Sequence, residues 1–531
     1  MMQLGHTKEM ASEMIVVSPA AKEPLQSTKS RNITPQSERM TSKQIAFISP
    51  LGSFPTISPS RVGSHLFTPS RQLFPSGEAF IGSLLRNTIT LLQHVNIVID
   101  ERLTLCPGHA HPEIPPWRHR ISNKPFPRHI IFDFDLRTDL VFEEKSFIFY
   151  DIIPSTLSVM FDGWFLIFHL ASLPPKPWPK RIAGLPCYFT TTEGDLGPSP
   201  PINRPNFTHI RLLPDLNFSD DESKAEELFQ LTKTHFINIL VAITEIQYWG
   251  RFIVIVLESR HTDMSHLPQS IARCNCFYLY DDEMGRPLNH SALRHLDPAR
   301  GYPDNSKYDP LRPGVMLSSG KHPTEGWELL TSSGVEVHDR NGYRYMTCTA
   351  HGFPHNGRVF HPNARGQEIG TLLEEITHTG IGLAQLDKQI SFTNEMFQNT
   401  VVPGPPIQLQ RFNAEEESRG KAGDDIYINS PFTGYIEGMQ GVLSTCRIPA
   451  NDPHDEPEQP WIQTRWDYMG QDSSHNLEDG MCGSAIWNGQ GDVLGFFRYA
   501  PKSGHFLDWC MSISSHELVK RGFSIVTDSH R

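Results

Sequence analysis

Cysteine is scarce in this chain. Eight residues in 531 (Cys106, Cys187, Cys274, Cys276, Cys348, Cys446, Cys482 and Cys510) are too few and too scattered for a disulfide-stapled secreted domain. A long apolar run is also missing. The longest, residues 146–173, is interrupted by Asp151, Pro154, Asp162 and His169, whereas a membrane span needs about 20 mainly apolar residues. The opening MMQLGHTKEMASEMIVV has neither the apolar centre nor the cleavage pattern of a secretory signal. The expectation is an intracellular protein, cytoplasmic or nuclear, with reduced thiols and no membrane partner. Positive charge is in deficit, 47 Lys and Arg against 59 Asp and Glu for a net −12, so the basic footprint of a nucleic-acid binder is missing. Neither Gly-x-x-x-x-Gly-Lys-Ser/Thr nor Gly-x-Gly-x-x-Gly occurs, which argues against a nucleotide cofactor. The composition does not speak to oligomeric state.

What is present is core material: 31 Phe, 9 Trp and 38% apolar residues. The chain reads as an α+β multidomain protein in three blocks. Residues 1–86 carry 14 Ser and 8 Pro and a net charge of +4 without apolar periodicity, a composition expected to be disordered. Residues 87–300 read as an α+β domain of unassigned role. VNIVID (95–100), HIIFDFDL (129–136) and FIFYDII (147–153) are strand-like. A helix is expected after a Ser219 N-cap with Glu222 in capping-box spacing, presenting Ala225, Leu228, Phe229, Phe236, Ile239, Leu240 and Ile243 on one face. Gly250 is expected to stop it, with RFIVIVLES and CFYLYDD as strands beyond.

From residue 312 to 531 the pattern becomes short strands separated by turns, as in GVEVHDRNGYRYMTCTA with its Asn341-Gly342 hairpin dipeptide. Three runs carry candidate chemistry. YMTCTAHGF delivers His351 at the end of a strand. THTGIGLAQLD places Gly380 at the start of another. In LEDGMCGSAIWNGQGDVLGFF, glycines flank Cys482, which suits a tight loop whose amides point inward beside an exposed thiol. A zinc site is disfavoured: Gly352 and Pro354 prevent the helix that would pair His351 with His355, His361 lies further on, and Cys274 and Cys276 have no second cysteine pair nearby. Neither metal nor cofactor is expected.

These runs resemble a chymotrypsin-like double β-barrel peptidase whose serine nucleophile is replaced by cysteine. The resemblance covers residues 312–531 and implies an all-β fold of two six-stranded barrels ending in a short helix over 515–520. It implies a cysteine endopeptidase acting on peptide or protein substrates, with Cys482 as nucleophile, His351 as base and the amides of Gly480 and Cys482 as oxyanion hole. Asn476, Phe496 and Phe497 fall where the family's primary substrate pocket is lined, implying a neutral, partly apolar pocket. The family's orienting acid falls on Gly380. Thr379, Glu374, Glu375 and Asp387 are the substitutes within reach in other registers, and Gly380→Asp is expected to raise activity. The alternative is a degenerate, non-catalytic relative that serves as a peptide-binding or scaffolding module.

Overall fold

The computed structural model describes Ile97–Val98 and residues 126–527 other than 200–210, 213–224, 288–302, 399–404, 414–422, 449–459, 474–475 and residues 140, 154, 251, 325 and 355. The Ser/Pro-rich block, Cys106 and the Ser219 cap lie outside the described residues. A two-residue strand, Ile97–Val98, pairs antiparallel with Phe132 and Ile131, and the numbered elements begin with β1 (His129–Phe132), α1 (Phe142–Ile152), β2 (Thr156–Phe161), β3 (Leu166–Leu170) and β4 (Leu185–Thr190). The run 147–153, expected as a strand, is the second half of α1. Alternation would have put Asp151 on the same face as Phe149. The helical turn instead gathers Ile148, Phe149 and Ile152 on the buried side and leaves Tyr150 exposed, while Glu143 and Glu144 sit at the favourable positive end.

The helix α2 (Ala225–Asn238) buries Ala225, Leu228, Phe229 and Phe236 as its periodicity predicts. It ends earlier than expected. Leu240 adopts φ +57 and is 93% exposed, Val241 N–H closes on Phe236 O at 3.0 Å, and Ile243 already belongs to β5 (Ile243–Tyr248). A left-handed residue just past the helix is an ordinary way to satisfy its last carbonyls. Gly250 (φ +78) turns β5 into β6 (Phe252–Leu257), which pairs in parallel with β7 (Cys274–Tyr280).

Beyond residue 312 the β-rich reading holds, in strands that form two closed rings. The first uses β8 (Met316–Ser318), β9 (Leu330–Ser332), β10 (Glu336–His338), β11 (Arg344–Thr349), β12 (Arg358–His361), β13 (Gln367–Glu375) and β14 (Ile381–Leu386). Its pairings run β9, β8, β12, β13, β14, β11, β10. The ring closes because β9 runs on into β10 through Gly334 and Val335, which exchange hydrogen bonds with Thr347. The hairpin between β10 and β11 turns at Asn341-Gly342 as the dipeptide predicts, with Asp339 accepting from the Asn341 and Tyr343 amides.

The second ring uses β15 (Asp425–Ser430), β16 (Gly434–Arg447), β17 (Trp461–Tyr468), β18 (Ala485–Asn488), β19 (Asp492–Tyr499) and β20 (Trp509–Ser514). They pair as β15, β18, β19, β20, β17, β16 and back to β15. A short helix α3 (His516–Lys520) and β21 (Ser524–Ile525), which returns to β10, follow. Beyond residue 312 the described chain is mostly β, with few helices and barrel-like sheets. The chain on the two sides of residue 300 is joined by a single sheet: Leu443–Cys446 of β16 pair with Glu245–Tyr248 of β5. Among the described residues no helix is long and apolar enough to cross a membrane.

His129 on β1 is 4% exposed, and burial pushes its imidazole down to about 4 despite the pull of Asp425. Between pH 6.5 and about 4 the unfolded chain therefore binds the extra proton. The stability that His129 contributes is complete above pH 6.5 and is lost as pH falls through that window. Urea unfolding midpoints should drop between pH 7 and pH 4.5, and His129→Gln should drop less. Equal slopes for the two proteins would contradict this assignment.

Candidate functional site

Cys482 lies on the loop that enters β18. A 3-10 turn over Asp479–Met481 presents it, and Gly483 at φ +90 carries the chain out. That φ favours glycine, and so does the space: a Cβ on Gly483 would lie 2.9 Å from both Ser332 O and Thr349 N. The loop is tied to the first ring. The Cys482 carbonyl accepts from Thr331 Oγ1 (2.6 Å) and Ser332 N (3.4 Å), and the Gly480 carbonyl from Ser332 Oγ (3.2 Å). On its other side Gly483 N–H donates to Phe497 O at 3.0 Å. The loop thus bridges β9 and β19. Cys482 is 5% exposed and packs with Leu477, Met481 and Phe497, and its thiol donates to the Arg498 carbonyl (2.9 Å).

His351 follows β11 on a 3-10 turn, Ala350–Gly352, and is half-buried, with Nδ1 2.9 Å from Thr349 Oγ1. Thr349 is also the residue whose amide abuts Gly483, so the turn bearing His351 and the loop bearing Cys482 meet at Thr349. The register of β14 on β11 pairs Ile381 with Thr349, and Ala350 N–H donates to Gly380 O (2.9 Å). Gly380 therefore stands beside the turn that bears His351, at φ +78.

The four acid substitutes separate clearly. Asp387 lies past the far end of β14, roughly 20 Å along the strand from Gly380 at about 3.3 Å per residue. Glu374 is exposed on β13. Thr379 is engaged within its own turn, donating to Ile376 O and accepting from Ile381 N. Only Glu375 turns toward the site, accepting from Gly380 N at 2.9 Å. The space that a side chain at position 380 would enter faces a cation instead. A Cβ there would lie 3.8 Å from Arg498 Nη1, which donates to Thr379 O at 3.1 Å.

The three residues expected at a substrate pocket are not brought together. Phe496 and Phe497 face opposite sides of β19, Phe496 in the main core and Phe497 in the cluster around Cys482, each 2% exposed. Asn476 is exposed and lines a separate cavity of about 780 Å³ with Trp178, Lys180, Tyr435 and Tyr468. His361 is satisfied inside the first ring, Nδ1 against Met316 O (2.7 Å) and Nε2 accepting from Tyr308 N (2.9 Å). His355 lies outside the described residues.

Sequence reasoning missed Arg498, Thr331 and Ser332. A lone arginine between Phe497 and Tyr499 in a buried strand was the available clue, since such a charge requires a partner. Thr331 and Ser332 carry no pattern of their own.

No family model and no curated protein matches the chain. Among solved structures it is similar to a glutamic-acid-specific serine protease described as using a histidine triad in substrate binding. The identity is 13% over 41% of this chain and 100% of that one, with a TM-score of 0.29. It is also similar to a Nocardiopsis protease and to a Cellulomonas bogoriensis chymotrypsin, each 12% identical over 41% of this chain and 100% of that chain, with TM-scores of 0.29.

Proposed function

We propose that residues 312–531 form a chymotrypsin-like peptidase domain that hydrolyses peptide bonds in peptide or protein substrates with Cys482 as nucleophile. The observation that carries this reading is the clasp of the Cys482 loop against the first ring at Thr331, Ser332 and Thr349, two residues before His351. In this reading His351 takes up a proton as Cys482 ionises, Sγ attacks the substrate carbonyl while the amides of Gly480 and Cys482 receive the oxyanion, the C–N bond breaks as His351 hands its proton to the leaving amine, and water then hydrolyses the thioester. No metal or cofactor enters the scheme.

A second reading, a non-catalytic peptide-binding or scaffolding module, has its own support. The thiol is 5% exposed, donates to a backbone carbonyl, and stands near a guanidinium where the fold's acid would sit. A peptidyl chloromethyl ketone separates the two on the full chain. The enzyme predicts selective alkylation of Cys482 together with peptide hydrolysis that falls about 100-fold or more in His351→Ala, the scale of a general acid–base contribution. No alkylation of Cys482, or alkylation without peptide hydrolysis, favours the scaffold.

Restoring the acid should not help. A carboxylate from Gly380→Asp would meet Arg498 Nη1 and pair with it, in a backbone conformation at φ +78 that aspartate tolerates at a cost of about 1 kcal/mol. The expected result is a labelling rate unchanged within about threefold and a melting temperature lowered by a few degrees. A tenfold gain would show that the new carboxylate reaches His351.

A further inference from the structure

Arg498 touches both halves of the site. Its carbonyl receives the Cys482 thiol at 2.9 Å, and its guanidinium reaches across to Thr379 O at 3.1 Å, beside the bare Cα of Gly380. Glu375, on the hairpin that ends at Gly380, holds the Gly380 amide and acts electrostatically on the same guanidinium, as does Cys482. In a serine peptidase of this fold a carboxylate at that place supports a protonated imidazole. A guanidinium does the reverse: it penalises the imidazolium and favours an anion nearby. A hydroxyl would not ionise on those terms. A thiol ionises far more readily, and a cation beside it makes that easier.

We propose that Arg498 is the positioning residue of this site, taking the place of the orienting acid and promoting ionisation of Cys482 directly rather than through His351. The step is simple: the Cys482 S–H bond breaks, the electron pair stays on sulfur, and the proton passes to solvent water. The sulfur must first turn away from the Arg498 carbonyl that now accepts its proton. The titratable groups that act on the guanidinium are Cys446 on β16, Tyr499 on β19, Cys482, and Glu375 on the hairpin before β14; in the chain, His351 follows β11, His378 lies on the Glu375 hairpin, Glu478 precedes the thiol on its own loop, and the Lys502 ammonium holds Leu477 O. The inference rests on the peptidase reading and deepens it.

The test is alkylation of the full-length chain by iodoacetamide at pH 7 and pH 9, with modification of Cys482 quantified by peptide mass spectrometry. A thiol whose ionisation midpoint moves by one pH unit changes its thiolate fraction about tenfold below that midpoint. Arg498→Met should therefore lower the ratio of the pH 7 rate to the pH 9 rate about fivefold, Arg498→Lys should keep it within about twofold of wild type, and His351→Ala should leave it near wild type. Glu375→Gln retains an acceptor for Gly380 N–H but removes the opposing charge, so it should raise the pH 7 rate by about two- to threefold. Should Arg498→Met fail to fold, Glu375→Gln decides, and an unchanged rate there overturns the proposal. A wild-type Cys482 that reacts readily at pH 7, with Arg498→Met matching it and His351→Ala losing it, overturns the role of Arg498 and leaves the peptidase standing. A Cys482 that stays unmodified at pH 9 in every protein overturns both.

Discussion

The site depends on a small clasp: two carbonyls of the Cys482 loop accepting from Thr331 Oγ1 and from the amide and hydroxyl of Ser332. These bonds join the two rings at the point where the chemistry would take place. Three hydrogen bonds of 2.6, 3.2 and 3.4 Å, each with a net worth of about 1 kcal/mol, are a modest energy but fix where the loop sits. The donors are buried, so removing the Ser332 hydroxyl takes from the Gly480 carbonyl its partner on the first ring, at about 1–3 kcal/mol, whereas the Cys482 carbonyl keeps a second donor. The φ of Gly483 and the missing Cβ at that residue are conditions of the same contact, because the loop cannot approach β9 and β11 this closely with any side chain there.

The second constraint is β16. Its fourteen residues serve two structures. The first part pairs with β15 to close the second ring, the later part pairs with β5, and β17 lies along the other edge. The sheet of the preceding block is thereby an extension of the second ring's wall. Glu245 on β5, wholly buried, accepts from Trp466 Nε1 on β17 (2.5 Å) and pairs with Arg286 (2.5 Å). Removing one partner of such a buried pair costs about 3–5 kcal/mol, since the other charge is stranded. The earlier block is therefore bound to the ring through backbone pairing and through charge. Gln471, on the approach to the Cys482 loop, exchanges two hydrogen bonds with the Phe189 backbone of β4, so this block also braces the loop from the outside.

What could be read from the sequence follows from range. Local rules worked where neighbours in sequence decide the outcome: the Asn341-Gly342 turn, the buried face of α2, and the strands ending at His351 and beginning after Gly380. They failed at 147–153, where a seven-residue aromatic and aliphatic run fits either period and only the position of Asp151 separates them. The end of α2 was missed for a similar reason, since Leu240 continues the periodicity but is the residue that leaves the helix. The sharing of β16 between two partners was not legible, because strand pairing across some 200 residues leaves no periodic trace. Spacing alone did not separate Phe496 from Phe497: neighbouring strand residues face opposite ways, and the two side chains lie in different clusters.

Arg498 shows how the remaining gap arises. Read alone, Gly380 is a residue without a side chain where the resemblance expects an acid. In three dimensions the atom nearest to a Cβ built there belongs to Arg498, on a strand more than a hundred residues later, at 3.8 Å. The glycine and the arginine are then linked: a side chain at 380 would enter space that the guanidinium faces at ordinary contact distance. In the proposed peptidase, a serine at 482 would depend on His351 without a carboxylate at position 380 to support the protonated imidazole. Cysteine is the nucleophile least dependent on that support, since its sulfur carries negative charge at a far lower cost than oxygen. The residue types at 380, 482 and 498 are mutually consistent in charge, and a change at any one of them alters what the other two can do.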